Sequence, residues 1–88
     1  MIKMQQFSYG ITDKEGLHAR PAGMLVKAAS AFQSNIMVRR DEKEVNAKRL
    51  FAVMGLAVKC GDKITVTCEG PDELKAAKEL ENFLQNNL

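Results

Sequence analysis

The sequence predicts an α+β fold of two layers: a four-stranded, mainly antiparallel sheet with three helices on one face, in the order β-α-β-β-α-β-α. Two observations carry this. Segments in which apolar and polar residues alternate are interleaved with segments of helical spacing, the pattern of helices packed on a sheet. The strand-like segments alternate rather than running continuously apolar, so one face of the sheet meets water, as antiparallel sheets allow. The 88 residues contain no repeat, linker or low-complexity tract, so a single domain is expected.

Phe7, Tyr9 and Ile11 alternate with Ser8, Gly10 and Thr12 and give the first strand. Residues 12–16 are a polar loop. Pro21 marks the first turn of a helix, because the N–H it lacks is one that a helix start leaves unpaired anyway. Ala22, Leu25, Val26, Ala29 and Phe32 follow at helical spacing, so this helix runs to about Phe32. Ile36 and Val38, set among Asn35, Met37 and Arg39, give the second strand. Arg40-Asp41-Glu42-Lys43 is a hairpin turn without the Asn-Gly or Asp-Gly pair that marks such turns most firmly. Residues 44–47 are the third strand. Residues 48 to about 58 are apolar-rich and read as a short helix loosened at its end by Gly55. Ile64, Val66 and Cys68 alternate with Thr65, Thr67 and Glu69 in the fourth strand. Gly70-Pro71-Asp72-Glu73 opens the last helix, with proline at its first position and acids in its first turn. Leu74, Ala77, Leu80 and Leu84 form its apolar stripe.

Hydrophobic residues make up 45% of the chain and charged residues 27%, the balance of a folded globule rather than a disordered chain. A net charge of +2 is too small to argue for nucleic acid. No apolar run reaches the roughly 18 residues of a membrane span. Met1-Ile2-Lys3-Met4-Gln5-Gln6 lacks the apolar stretch of a signal peptide, so the expected location is the cytoplasm. The two cysteines are expected to be free thiols, Cys68 facing the core from a strand and Cys60 exposed in a polar turn. No metal or cofactor is expected: one histidine and two separated cysteines offer too few ligands.

The chemistry concentrates in Gly16-Leu17-His18-Ala19-Arg20-Pro21-Ala22, which holds the chain's one histidine. This places His18 at the N-terminal lip of the first helix. Unpaired backbone N–H groups and the positive end of the helix dipole converge there and favour an anion. Gly16 and Pro21 shape the backbone so that the ring is presented rather than packed. Arg20 adds a planar donor suited to phosphate oxygens. A nucleophilic imidazole in an anion site, beside a guanidinium, points to phosphate chemistry on the histidine.

Further motifs accompany this one: Val45-Asn46-Ala47-Lys48 leading into a short apolar helix, Lys59-Cys60-Gly61-Asp62 ahead of a strand, and Glu69-Gly70 ahead of the last helix. Together they resemble the HPr family, the histidine-containing phosphocarriers of the bacterial phosphoenolpyruvate-dependent sugar phosphotransferase system. The resemblance spans almost the whole chain. It implies an open-faced sandwich of the architecture already read. It also implies that His18 accepts a phosphoryl group on Nδ1 from phosphorylated enzyme I and passes it to enzyme IIA proteins. The chain is then a stoichiometric carrier rather than an enzyme. Phosphoryl transfer depends mainly on positioning and electrostatics, and imidazole both accepts the group and leaves readily. The N–H groups of Ala19 and Arg20, with the Arg20 side chain, are the expected phosphate donors. The helix N-terminus and Arg20 both disfavour a second positive charge, so a neutral ring is expected before phosphorylation and a charged one beside the added dianion.

As a residue pattern, Leu50, Phe51 and Met54 at helical spacing read as core. The resemblance instead implies an apolar docking patch on this second helix, joined by Met24 and Lys27 on the first. Lys27, Lys48, Arg49 and Arg20 would then form a basic rim for acidic partners. Arg49 is a departure: many HPr proteins carry there a serine that a regulatory kinase phosphorylates. Arginine cannot accept that group, and Ser30 and Ser34 do not align with the site. Arginine also lacks the short oxygen of a good N-cap. The departure keeps open a second reading, a paralogue serving a dedicated or nitrogen-type relay. A third reading, a small RNA-binding α/β module, is allowed by the basic balance and a free sheet face but lacks an aromatic stacking motif. A monomer is expected for a carrier whose partners share one face.

Overall fold

The computed structural model describes residues 4–88 and contains β1 (Gln5–Gly10), α1 (Ala19–Ser30), β2 (Asn35–Arg40), β3 (Lys43–Asn46), α2 (Leu50–Met54), β4 (Lys63–Glu69) and α3 (Glu73–Asn87). Residues 1–3, where the N-terminal stretch begins, lie outside the described residues. The element order is the one the sequence predicts. The strands make one antiparallel sheet, ordered β1-β4-β2-β3.

Register sets the core. Phe7 pairs with Val66, Val66 with Val38, and Val38 with Val45, so one apolar row crosses all four strands. Ile64, Val66 and Cys68 of β4 and Ile36 and Val38 of β2 are fully buried, in one cluster with Leu25 of α1, Val53 of α2 and Leu80 and Leu84 of α3. Each such Val, Leu or Ile contributes roughly 1.5–3 kcal/mol relative to exposure. The alternate residues face away: Ser8 Oγ and Thr65 Oγ1 share a hydrogen bond of 3.1 Å on the open face. Cys68 is buried, Cys60 is exposed, and both are free. Among the described residues no helix is long and apolar enough to cross a membrane.

The β2–β3 hairpin closes through Asp41 and Glu42, with Arg40 paired to Lys43. Asp41 takes φ +55, a conformation aspartate tolerates better than most residues, so the turn forms without a glycine.

The helices depart from the sequence reading in several places. Helix α1 ends at Ser30 rather than near Phe32. Helix α2 spans only five residues. Its Arg49 N-cap makes no side-chain bond, and at its other end Lys43 Nζ and Arg40 Nη1 donate to the Gly55 and Leu56 oxygens at 3.1 and 3.0 Å. The following apolar residues Leu56 and Val58 are buried in a turn that passes through Ala57 at φ +53. Helix α3 starts at Glu73, with Asp72 as N-cap, so Pro71 lies before the helix rather than at its first position. Its buried stripe is Glu73, Ala76, Leu80 and Leu84, while Leu74 is 70% exposed. At 3.6 residues per turn Leu74 lies about 120° around the helix from Leu80, too far to share its face.

Candidate functional site

The backbone that delivers His18 is held from two sides. Thr12 N, Asp13 N and Thr12 Oγ1 all donate to the Leu88 oxygen beyond α3, at 2.6, 2.9 and 2.8 Å. Gly16 N donates to Asp13 O at 2.9 Å, and Leu17 N to Val58 O at 3.0 Å. Leu17 is buried and anchors the segment. Gly16 sits at φ +67 with its Cα hard against residues 58–59: a Cβ there would clash with Val58 O and come 2.6 Å from Lys59 Cα. Only glycine meets both demands.

His18 is then the N-cap of α1, in extended conformation, and its side chain makes no capping bond. The ring is half-exposed, with 35% of its side-chain surface open. The first intrahelical bond runs from Ala22 N to His18 O, at 2.9 Å. The N–H groups of Ala19 and Arg20 therefore have no acceptor among the described residues. Arg20 is exposed and shares an open depression of about 460 Å³ with Asp13, Glu15, His18, Pro21, Met24 and Asn87. The structure thus brings together His18, Arg20 and the two backbone donors that the sequence singled out.

It also brings up neighbours the sequence reading missed. Glu15 Oε2 lies 3.8 Å from His18 Nε2. Asp13, Glu15 and His18 place one ligand atom each within 4.8 Å of one another, a grouping the sequence inventory overlooked by counting only histidine and cysteine. Arg20 and the helix N-terminus oppose a cation at that spot. Gly16 was the available signal for the loop residues, since its left-handed turn folds residue 15 back toward residue 18. Asn87 arrives from α3 and carries no such signal.

The expected docking residues are only partly available. Met24, Lys27, Arg49 and Met54 are exposed, and Phe51 is 85% exposed. Helices α1 and α2 pack on each other, so these residues belong to neighbouring elements. Leu50 is half-buried and packs on the core. Lys48 is committed elsewhere, its Nζ donating to Phe32 O at 2.7 Å. Its charge closes the loop after α1 rather than extending a free rim.

Residues 5–86 match the family described as PTS HPr component phosphorylation site. The chain is 45% identical over 76 residues to the phosphocarrier protein HPr of Treponema pallidum, covering 86% of each chain. It superimposes on the crystal structure of a phosphocarrier protein HPr from Bacillus anthracis with a TM-score of 0.86 at 38% identity, covering 92% of this chain and 96% of that one. An HPr dimer from Thermoanaerobacter tengcongensis is similar at TM-score 0.75 and 42% identity, covering 89% and 90% of the two chains.

Proposed function

The chain belongs to the HPr family of phosphotransferase-system phosphocarriers, and from that premise we propose that His18 takes a phosphoryl group from enzyme I and hands it to enzyme IIA proteins in sugar uptake. The observation that carries this reading is a half-exposed imidazole at a helix N-cap, free of side-chain capping bonds, with two unpaired N–H groups behind it.

The ring nitrogen Nδ1 attacks phosphorus as the donor's bond to phosphorus breaks. The Ala19 and Arg20 N–H groups and the Arg20 guanidinium receive the equatorial oxygens, where negative charge concentrates. Each molecule takes up one phosphoryl group per cycle as a substrate of its partner enzymes, so the chain acts as a stoichiometric carrier rather than an enzyme, and its place in this relay is the cytoplasm. Partners dock on Phe51, Met54, Met24 and Leu50, with Lys27, Arg49 and Arg20 as the cationic surround. One such face serves donor and acceptor in turn, which suits a monomer; sedimentation at micromolar concentration checks that state.

Incubation with enzyme I, Mg²⁺ and labelled phosphoenolpyruvate tests the central claim. The parent is expected to take up acid-labile label and His18→Ala none. Equal labelling of the two overturns the assignment.

Arg49, exposed at the α2 N-cap, supports two finer statements. The chain escapes serine phosphorylation at the family's regulatory position. It also fits a relay dedicated to particular acceptors, which comparison of transfer rates across several enzyme IIA proteins would reveal.

A further inference from the structure

The geometry points to Glu15 as a positioning residue for His18: its carboxylate, 3.8 Å from Nε2, selects the ring form that carries hydrogen on Nε2 and leaves the Nδ1 lone pair free. This rests on the carrier reading above. An ionised carboxylate only accepts hydrogen bonds, so beside a neutral imidazole it favours hydrogen on the nitrogen nearest to it. A neutral imidazole has one N–H, and placing it on Nε2 makes Nδ1 the nucleophile.

The placement of Glu15 is built into the loop. Asp13 Oδ1 accepts the Glu15 N–H at 2.8 Å, and Gly16 at φ +67 turns the chain so that residues 15 and 18 approach. Among the described residues lining the depression around the ring, the other charged side chains are Asp13 from the same loop and Arg20 from α1, and α3 contributes the neutral Asn87. Neither ring nitrogen has a hydrogen-bond partner among the described residues.

With this tautomer no proton moves in either direction of the relay. As the phosphoryl group arrives, the Nδ1 lone pair forms the N–P bond and the donor leaves with the electron pair of its own bond to phosphorus. The ring becomes imidazolium, its Nε2 hydrogen still facing Glu15. As the group departs, the N–P pair returns to Nδ1 and the ring is neutral again in the starting tautomer. Glu15 therefore favours the product of uptake and restores the reactive form after transfer.

At 3.8 Å the contact is electrostatic rather than a hydrogen bond, and the Glu15 side chain is 78% exposed, so the effect is modest and screened by salt. Glu15→Gln keeps the size and removes the charge. Nitrogen-15 NMR of the ring, at a pH where it is neutral, reads the two tautomers. The parent is expected to exceed the Nε2–H share of a free histidine peptide, and Glu15→Gln to fall back to it. Salt at about 0.5 M brings the parent toward the same value. Phosphoryl uptake from enzyme I slows about two- to five-fold in Glu15→Gln at low salt, with an unchanged melting temperature. An identical tautomer share in parent and variant overturns the role of Glu15 and leaves the carrier reading intact. Failure of the parent to take up acid-labile label overturns the carrier reading itself.

Discussion

A methyl group added at Gly16 would lie 2.6 Å from Lys59 Cα, on a residue that already holds φ +67. Gly16→Ala is expected to lose about 1–3 kcal/mol of stability, read by urea unfolding, because both the clash and the left-handed backbone must be relieved. The relief displaces His18, so phosphoryl uptake falls further than stability alone explains. The thiols diverge for a different residue-scale reason. Burial first, then the nearby Asp72 and Glu73 charges, push Cys68 up to about 11. Only a thiolate reacts readily, so at pH 8 a thiol reagent is expected to label exposed Cys60 in the native protein and Cys68 only after unfolding. Native labelling of both would contradict the buried placement. Ser34 is equally closed to chemistry: it is fully buried and its hydroxyl donates to Asp72 at 2.5 Å. A regulatory serine kinase with ATP is expected to leave it unlabelled.

Between elements, Asp72 stands at the N-cap of α3 but makes no side-chain capping bond to that helix. Its carboxylate accepts from Ser34 Oγ, Ser34 N and Gln33 N, fastening the α1–β2 turn to the start of α3. Gly70 lets the same segments touch, since a Cβ there would stand 2.7 Å from Ser34 Cα. The Ser34 hydroxyl, then the Gln33 N–H, hold the carboxyl below its ordinary value of 3.8. A depressed carboxyl stabilises the fold above its unfolded value and loses that contribution as pH falls through the lower folded one. The melting-temperature gap between the parent and Asp72→Asn is therefore expected to be widest near neutrality and to close below about pH 4. A gap that persists unchanged in acid would show that the hydrogen bonds matter and the charge does not. None of this was legible in Gly70-Pro71-Asp72-Glu73, which reads as an ordinary helix start. Strands were legible because a two-residue period is local and one sheet face enforces it. The end of α2 was not, because Lys43 and Arg40 reach it from the hairpin. His18 and Arg20 stood out by residue type at a helix start, whereas Glu15 acquires its place only through the turn at Gly16.

Across the whole molecule, the core and the proposed docking face rest mainly on different apolar residues, with half-buried Leu50 the one that touches both. One cluster joins all four strands to the three helices, and Leu80 lies fully inside it. Phe51 lies almost wholly outside, on a helix too short to need it. Leu80→Ala is expected to cost about 2–5 kcal/mol of stability and to leave phosphoryl uptake near the parent rate below its lowered melting temperature. Phe51→Ala is expected to leave the melting temperature unchanged and to weaken partner binding about ten-fold or more, as loss of an aromatic anchor does. Charge adds a separate signature. The chain carries +2 overall, with Arg20 and Lys27 exposed on α1 and Arg49 exposed at the α2 N-cap. Steering by such charges acts on association, so raising salt slows encounter with an acidic partner in parent and Phe51→Ala alike, whereas the aromatic loss appears in dissociation. If salt instead left the association rate untouched while Phe51→Ala lowered it, the cations would be bystanders and the apolar patch alone would select the partner.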